Sequence, residues 1–165
     1  MKQKIVTHLW YAENAEEAAA FYASLIPDSS VDRITPLPAD SPSGPAGSVY
    51  IVDFTLGGQK FQAINAGPYD PFNHSFSLII NCNTQEEIDR LWDGLGAGGE
   101  IEECGWLKDR YGVSWQIVPA MLDDMMADKD EARAKRVSEA ILTMKKLDIA
   151  ALQAAYEGKE AAAAR

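Results

Sequence analysis

Gly105-Trp106-Leu107-Lys108-Asp109-Arg110-Tyr111-Gly112-Val113-Ser114-Trp115-Gln116-Ile117-Val118-Pro119 decides how the chain folds. It predicts a short strand, a turn and a second strand. Lys108 to Gly112 forms the turn, with Gly112 free to take a positive φ that Tyr111 or Val113 would resist. Trp115, Ile117 and Val118 are strand formers, and Pro119 ends the ladder because it has no N–H. Gln116 stands out in this apolar strand. Either it faces solvent, or its buried amide finds partners, since an unpaired one costs roughly 1–3 kcal/mol.

The chain carries this stretch twice. Gly58-Gln59-Lys60-Phe61-Gln62-Ala63-Ile64 repeats Gly112 to Val118 in register, with Gln62 and Gln116 in matching places 54 residues apart (116 − 62). A second echo lies upstream of each copy. Asn14-Ala15-Glu16-Glu17 parallels Thr84-Gln85-Glu86-Glu87, and Phe21, Tyr22 and Leu25 parallel Leu91, Trp92 and Leu95, at an offset of 70 (84 − 14). The Pro/Gly-rich segment 36–47 absorbs the difference between the offsets. Two copies make a duplicated module, whereas a solenoid needs more.

Reading outward, Ile5 to Tyr11 predicts a strand with Val6, His8 and Trp10 on one face. Asn14 with Glu17 has the spacing of a capping box and opens a helix to about Ile26, ended by Pro27. Strands are expected at 30–35, 48–56 and 59–64, with Gly57-Gly58 as the hairpin turn between the last two. In the second half, 75–81 predicts a strand, Thr84 with Glu87 opens a helix to about Leu95, and 100–104 predicts a strand. Gly94 to Gly99 looks like a phosphate loop. It follows a helix and precedes a strand, however, which is the wrong order for a dinucleotide loop and the right one for a C-cap. Beyond Pro119, Ala134, Val137, Ile141 and Met144 form a helical stripe, and Asp148 caps a shorter helix ending near Gly158. The alanine-rich tail that follows is expected to fray.

The expected fold class is therefore α+β. Two βαβββ modules, 1–66 and 70–122, precede a C-terminal helical tail, 123–165. The stripe on that tail is the sequence's clearest spare apolar surface, and with the open sheet edges it predicts a homodimer.

Charge excludes several function classes. With 25 acidic against 15 basic residues, the net charge of −10 opposes nucleic-acid binding and association with an anionic membrane. No run approaches the roughly 18 apolar residues of a spanning helix. Met1-Lys2-Gln3-Lys4 leads into no apolar signal core, so a cytoplasmic chain is expected. Cys82 and Cys104 lack metal or redox spacing and are expected to be reduced. With only His8 and His74 in the chain, and no acid beside either in sequence, no Ser/His/Asp or Cys/His catalytic constellation can be assembled.

Several segments carry a resemblance. They are Leu9-Trp10-Tyr11 with Asn14 to Ala18 and Phe21-Tyr22; Phe61 to Pro68; Asn81-Cys82 with Gln85-Glu86-Glu87; Cys104-Gly105-Trp106 through Trp115 to Pro119; and Met144 to Ile149. Together they resemble the PhnB-like group, often labelled 3-demethylubiquinone methyltransferase-like, of the vicinal oxygen chelate superfamily (glyoxalase, bleomycin resistance, extradiol dioxygenase). The resemblance implies a cup-shaped half-barrel per module with a pocket in its interior. In metal-using relatives the ligands come from the first and last strands of each module. The matching places here are near Thr7 or His8, Gln62, near Ser77 or Leu78, and Gln116. Only His8 among them is a strong ligand, and Gln stands where relatives carry an acid, so no tightly bound metal or other cofactor is expected.

Small-molecule binding is the leading expectation. Trp10, Tyr50, Phe61, Trp106 and Trp115 would supply the walls of the cups, Gln62 and Gln116 the hydrogen-bonding floors, and His8 a further polar group. Two alternatives stay open. One is an enzyme on a small oxygenated metabolite, with or without metal. The other is the methyltransferase of the family label, although the sequence lacks the strand–glycine loop–helix of a typical S-adenosylmethionine site.

Overall fold

The computed structural model describes residues 3–68 and 70–159. It forms two compact units, Met1–Pro71 and Phe72–Arg165.

The first unit contains β1 (Thr7–Tyr11), α1 (Ala15–Leu25), β2 (Ser30–Pro36), β3 (Tyr50–Leu56) and β4 (Gln59–Asn65). Its sheet runs β1-β4-β3-β2, with β1 parallel to β4 and the other pairs antiparallel. The β3–β4 hairpin turns through Gly57 and Gly58, at φ 53° and 78°, which suits a two-residue turn needing positive φ twice. Alternation assigns the faces. Leu9, Tyr11, Val52, Phe54, Phe61 and Ala63 are buried on the side covered by Ala15, Ala18, Ala19 and Tyr22 of α1. The residues between them point the other way.

The second unit repeats the order: β5 (Ser77–Cys82), α2 (Gln85–Gly96), β6 (Glu100–Ile101), β7 (Trp106–Lys108) and β8 (Ser114–Pro119). Its sheet, β5-β8-β7-β6, has the same parallel and antiparallel pattern. Ile88, Leu91, Trp92 and Leu95 of α2 are buried with Leu107, Trp115 and Ile117. Three helices follow, α3 (Leu122–Met126), α4 (Glu131–Ile141) and α5 (Ile149–Glu157). The chain is thus α+β, with two βαβββ halves and C-terminal helices. No helix among the described residues is long and apolar enough to cross a membrane.

The turn in the deciding stretch is built on Asp109, which is 3% exposed. Its Oδ1 accepts from the N–H groups of Tyr111 at 2.8 Å and Val113 at 3.1 Å, and its Oδ2 accepts from Trp115 Nε1 at 2.7 Å. Gly112 takes φ 89°. One carboxylate therefore closes the turn and fixes the tryptophan of the following strand.

Several expectations change. The capping box at Asn14 and Glu17 does not form. Asn14 is left-handed at φ 68°, whereas a capping side chain needs an extended backbone to fold over the first turn. The Ala15 N–H donates to Asn65 Oδ1 instead, at 3.4 Å. The box at Thr84 does cap, with Glu87 N–H donating to Thr84 Oγ1 at 3.2 Å, while the Glu87 carboxylate accepts from Asn83 N–H. The strand expected over 100–104 is two residues long, because Cys104 at φ 59° and Gly105 at φ 83° turn the chain. The glycine run is the C-terminal connection of α2, and a Cβ on Gly99 would stand 2.1 Å from the Lys108 carbonyl oxygen.

The helical stripe is also not spare. Val137 is fully buried with Leu147 and Leu152, and Ala140, Ile141, Met144 and Tyr156 pack against them. The homodimer loses the helical surface from which it was argued and keeps only the open sheet edges. Asp148 caps α5 as expected, accepting from Ala151 N–H at 2.7 Å, and Gly158 ends it at φ 71°. The tail beyond Lys159 lies outside the described residues.

Candidate functional site

On the face opposite α1, cross-strand register sets His8 beside Gln62, Gln62 beside Asp53, and Asp53 beside Arg33. The Gln62 amide donates through Nε2 to Asp53 Oδ1 at 2.8 Å. Arg33 donates to Asp53 Oδ2 from Nε at 3.0 Å and Nη2 at 2.7 Å. One step along the strands, Thr55 pairs with Lys60 and Ser30 with Thr55. A bulge between Val31 and Arg33 brings Asp32 into this second row. Asp32 accepts from Ser30 at 2.7 Å, Thr55 at 2.7 Å and Lys60 at 2.9 Å, and Lys60 also donates to Thr55 Oγ1 at 2.7 Å.

These two rows floor a cleft of about 640 Å³ lined by Lys4, Val6, Arg33, Asp53, Lys60 and Gln62, with Gln3, Asp32 and Phe61 completing the wall. The volume lies within the range of small-molecule sites. The Gln62 hydrogen bond, with the Arg33 guanidinium behind it, outweighs burial and holds the Asp53 carboxyl below its ordinary value. At Asp32 burial acts upward, but the hydrogen bonds from Ser30, Thr55 and Lys60, with the Lys60 charge, bring the carboxyl down. Both acids are therefore anions at neutral pH.

Alternation separates the expected site residues. His8 is exposed and shares Gln62's row and face, but it does not border the cleft. Trp10 is on that face one row along, its Nε1 donating to the Gly67 carbonyl at 2.9 Å, and it does not border the cleft. Phe61 borders the cleft but is 5% exposed, stacked on Phe54 with centroids 5.4 Å apart. Tyr50 is on the helix side, in a separate depression of about 340 Å³ with Asn14, Glu16, Glu17 and Ala20.

In the second unit, Gln116 lies between Ile79 and Trp106 on the face opposite α2, and its Nε2 donates to Ser77 Oγ at 2.9 Å. Register therefore matches His8 with Ile79, one residue past Leu78 and two past Ser77, the places read from the sequence. Hydrogen-bonded pairing, not sequence distance, fixes the partner. His74 bonds the Glu102 carboxylate at 2.8 and 2.9 Å, and its ring lies 6.1 Å from that of Trp106. Trp115 points into the core at 1% exposure and lines no open face, because it is one residue out of phase with Gln116.

The donor set does not fit a tightly held divalent ion. The register positions give one imidazole and an amide in the first unit, and an amide, a hydroxyl and an isoleucine in the second. Asp53, the nearest acid to His8 and Gln62 in the row, is neutralised by Arg33. Among the described residues no three His, Cys, Asp or Glu side chains come together. Nor is a glycine loop present for a methyl donor. The links from β1 to α1, β5 to α2 and β8 to α3 contain no glycine.

Lys4, Arg33, Asp32, Asp53 and Lys60 were not among the site residues read from sequence. The signal was present in part, since Lys60 sits two residues before Gln62 and so shares its face. Asp32 and Arg33 owe their places to the bulge, which alternation does not announce.

The family model described as 3-demethylubiquinone-9 3-methyltransferase matches residues 3–118. A Bacillus cereus PhnB protein, provisionally described as a 3-demethylubiquinone-9 3-methyltransferase, is 35% identical. The match covers 72% of this chain and 100% of that one, with a TM-score of 0.62. A protein from Pseudomonas aeruginosa is 24% identical over 72% of this chain and 98% of that one, with a TM-score of 0.58. The fosfomycin resistance protein FosX from Listeria monocytogenes, in a form complexed with Mn(II) and sulfate, shares the fold. Identity there is 11%, coverage 71% and 91%, and TM-score 0.51. No curated protein matches the chain.

Proposed function

The chain belongs to the 3-demethylubiquinone-9 3-methyltransferase (PhnB-like) family of the vicinal oxygen chelate fold, and we propose that it binds a small organic molecule in the cleft of its first unit, without a tightly bound metal. The observation that carries this reading is the cleft itself. A concave space of about 640 Å³ is floored by polar side chains already locked in place by one another. Pre-ordered groups lose little freedom when a ligand arrives. The Gln62 amide keeps its carbonyl and one N–H uncommitted among the described residues, so it can orient a polar ligand as donor and acceptor. Methyl transfer is not favoured, because none of the strand-to-helix links has the glycine loop that cradles S-adenosylmethionine in its common site.

A nuclear magnetic resonance screen of a metabolite collection against the ¹⁵N-labelled full chain tests the reading. Ligands are expected to move the Gln62 side-chain amide and the backbone amides of residues 4–6 and 60–62. Ligands that bind only elsewhere, or stoichiometric metal retained through dialysis and lost in His8→Ala, would overturn it.

A further inference from the structure

We infer that the molecule bound in the first-unit cleft carries an oxyanion, a carboxylate- or phosphate-type group seated against Lys60, Arg33 and Lys4; this rests on the reading of that cleft as the ligand site. Hydrogen-bonding capacity points to it. Asp53 accepts on both oxygens, from Gln62 and from Arg33, and Asp32 accepts on both, from Ser30 and from Thr55 and Lys60. Each carboxylate already accepts three hydrogen bonds, which leaves the Gln62 carbonyl as the main open acceptor, whereas the donors are far from exhausted. An arginine has five N–H donors and a lysine three. Arg33 commits two to Asp53, Lys60 commits two to Asp32 and Thr55, and Lys4 forms no ion pair among the described residues. What remains on the cleft surface is a surplus of donors, and its complement is a group rich in acceptors.

Exposure orders the charges in the same sense. The Arg33 side chain is 72% exposed against 25% for Asp53, and Lys60 is 56% exposed against 28% for Asp32. In each pair the carboxylate lies deeper and the cation stands nearer solvent. The acids hold the cations in position without shielding them from the cleft. The cleft carries three cations and two carboxylates, one net positive charge in a chain of net charge −10. An anion approaching this chain is repelled by most of its surface and attracted here.

The test is an NMR titration of the ¹⁵N-labelled full chain at low ionic strength with four probes. These are benzoate, phenylphosphonate, the neutral benzamide and inorganic phosphate. Benzoate or phenylphosphonate should shift the Gln62 side-chain amide and the backbone amides of residues 4–6 and 60–62, and benzamide should not. Added salt should weaken the binding. Lys60→Gln should weaken it by about tenfold, the order of one charge-assisted hydrogen bond. Lys4→Gln, in a segment outside the strands, should weaken it without touching the fold. Inorganic phosphate binding as tightly as phenylphosphonate would support the anion seat and make the free ion its ligand. Benzamide binding these residues as tightly as benzoate would overturn the oxyanion inference while leaving the cleft a small-molecule site. Shifts from none of the four probes would also overturn it, and the metabolite screen then decides separately whether the cleft binds anything.

Discussion

Replacing Asp109 by alanine should be among the most damaging single changes in the second unit. The carboxylate is 3% exposed and accepts from two backbone N–H groups and the Trp115 indole. A hydrogen bond to a charged group contributes about 1.5–3 kcal/mol, and a buried donor left unpaired costs about 1–3 kcal/mol. Water entering the turn can satisfy Tyr111, which is only partly buried, but it cannot easily reach the Trp115 indole at 1% exposure. We therefore expect a loss of about 3–5 kcal/mol, a large share of the roughly 5–15 kcal/mol typical of a domain. Asp109→Asn preserves shape and can still accept from the turn, so it should cost less, about 1–2 kcal/mol. Urea unfolding followed by tryptophan fluorescence measures both, with circular dichroism as a second probe for variants at Trp115. In a double-mutant cycle, Asp109→Asn with Trp115→Phe should show a coupling of about 1 kcal/mol or more. An Asp109→Ala variant within about 0.5 kcal/mol of the parent would refute the claim that this side chain organises the hairpin.

Burial, with a smaller contribution from the Glu87 charge, pushes the Cys82 thiol up to about 12, so under native conditions at pH 8 a thiol reagent should label Cys104 and leave Cys82 until the chain unfolds; mass mapping of the labelled peptide reads this. Asp53 has a folded value below its unfolded 3.8, so its stabilisation is complete above that value and disappears as pH falls through the lower one. Asp53→Asn should accordingly flatten the acid limb of a plot of stability against pH below about 4, and an unchanged limb would count against the Gln62–Asp53–Arg33 row. Gly99→Ala places a Cβ 2.1 Å from the Lys108 carbonyl oxygen and 3.0 Å from Asp109 backbone atoms, and should cost at least about 2 kcal/mol in urea unfolding, because backbone bounds the contact and cannot rotate away.

The parts of the fold legible in the sequence were those dictated by local chemistry. Asp148 before an apolar stripe and Gly158 after it bracketed α5, and the turn glycines placed both hairpins. The parts that escaped depend on partners distant in sequence. Asn14 has the composition of a cap, yet Asn65, across the parallel pairing of β1 and β4, receives the N–H. Asp109 reads as an ordinary turn residue until Trp115 is seen to donate to it. The candidate site divides along the same line. Gln62 and Gln116 were visible because they repeat, but the sequence left Thr7 or His8 open beside the first and Ser77 or Leu78 beside the second, and only strand register sets His8 next to Gln62 and Ile79 and Trp106 next to Gln116. Trp115 and Tyr50 were read as pocket walls by their chemistry alone, and strand phase turns both toward the helix side. Lys60, Asp53 and Arg33 became a unit only when three strands were laid in register.

The duplication sharpens what the cleft is for. Both copies keep a glutamine at the same place on the last strand, and both glutamines donate through Nε2 to a neighbouring side chain. Their surroundings have diverged in opposite directions. Gln62 lies in a row with His8, Asp53 and Arg33, whereas Gln116 lies between Ile79 and Trp106 and reaches only the hydroxyl of Ser77. A glutamine needed only to complete a strand would have no reason to gain an ion-paired carboxylate in one copy and an exposed isoleucine in the other. The strand supplies the position, and the neighbouring strands decide its chemistry. In the first unit they supply locked carboxylates beneath accessible cations, and in the second an apolar row bordered by Trp106. An exchange tests this division. Ile79→His recreates the His8–Gln62 adjacency beside Gln116 without the cations, and it should leave benzoate binding to the chain unchanged. Benzoate newly captured at Gln116 in that variant would show that the imidazole–amide pair, not the donor surplus of Lys60 and Arg33, selects the ligand.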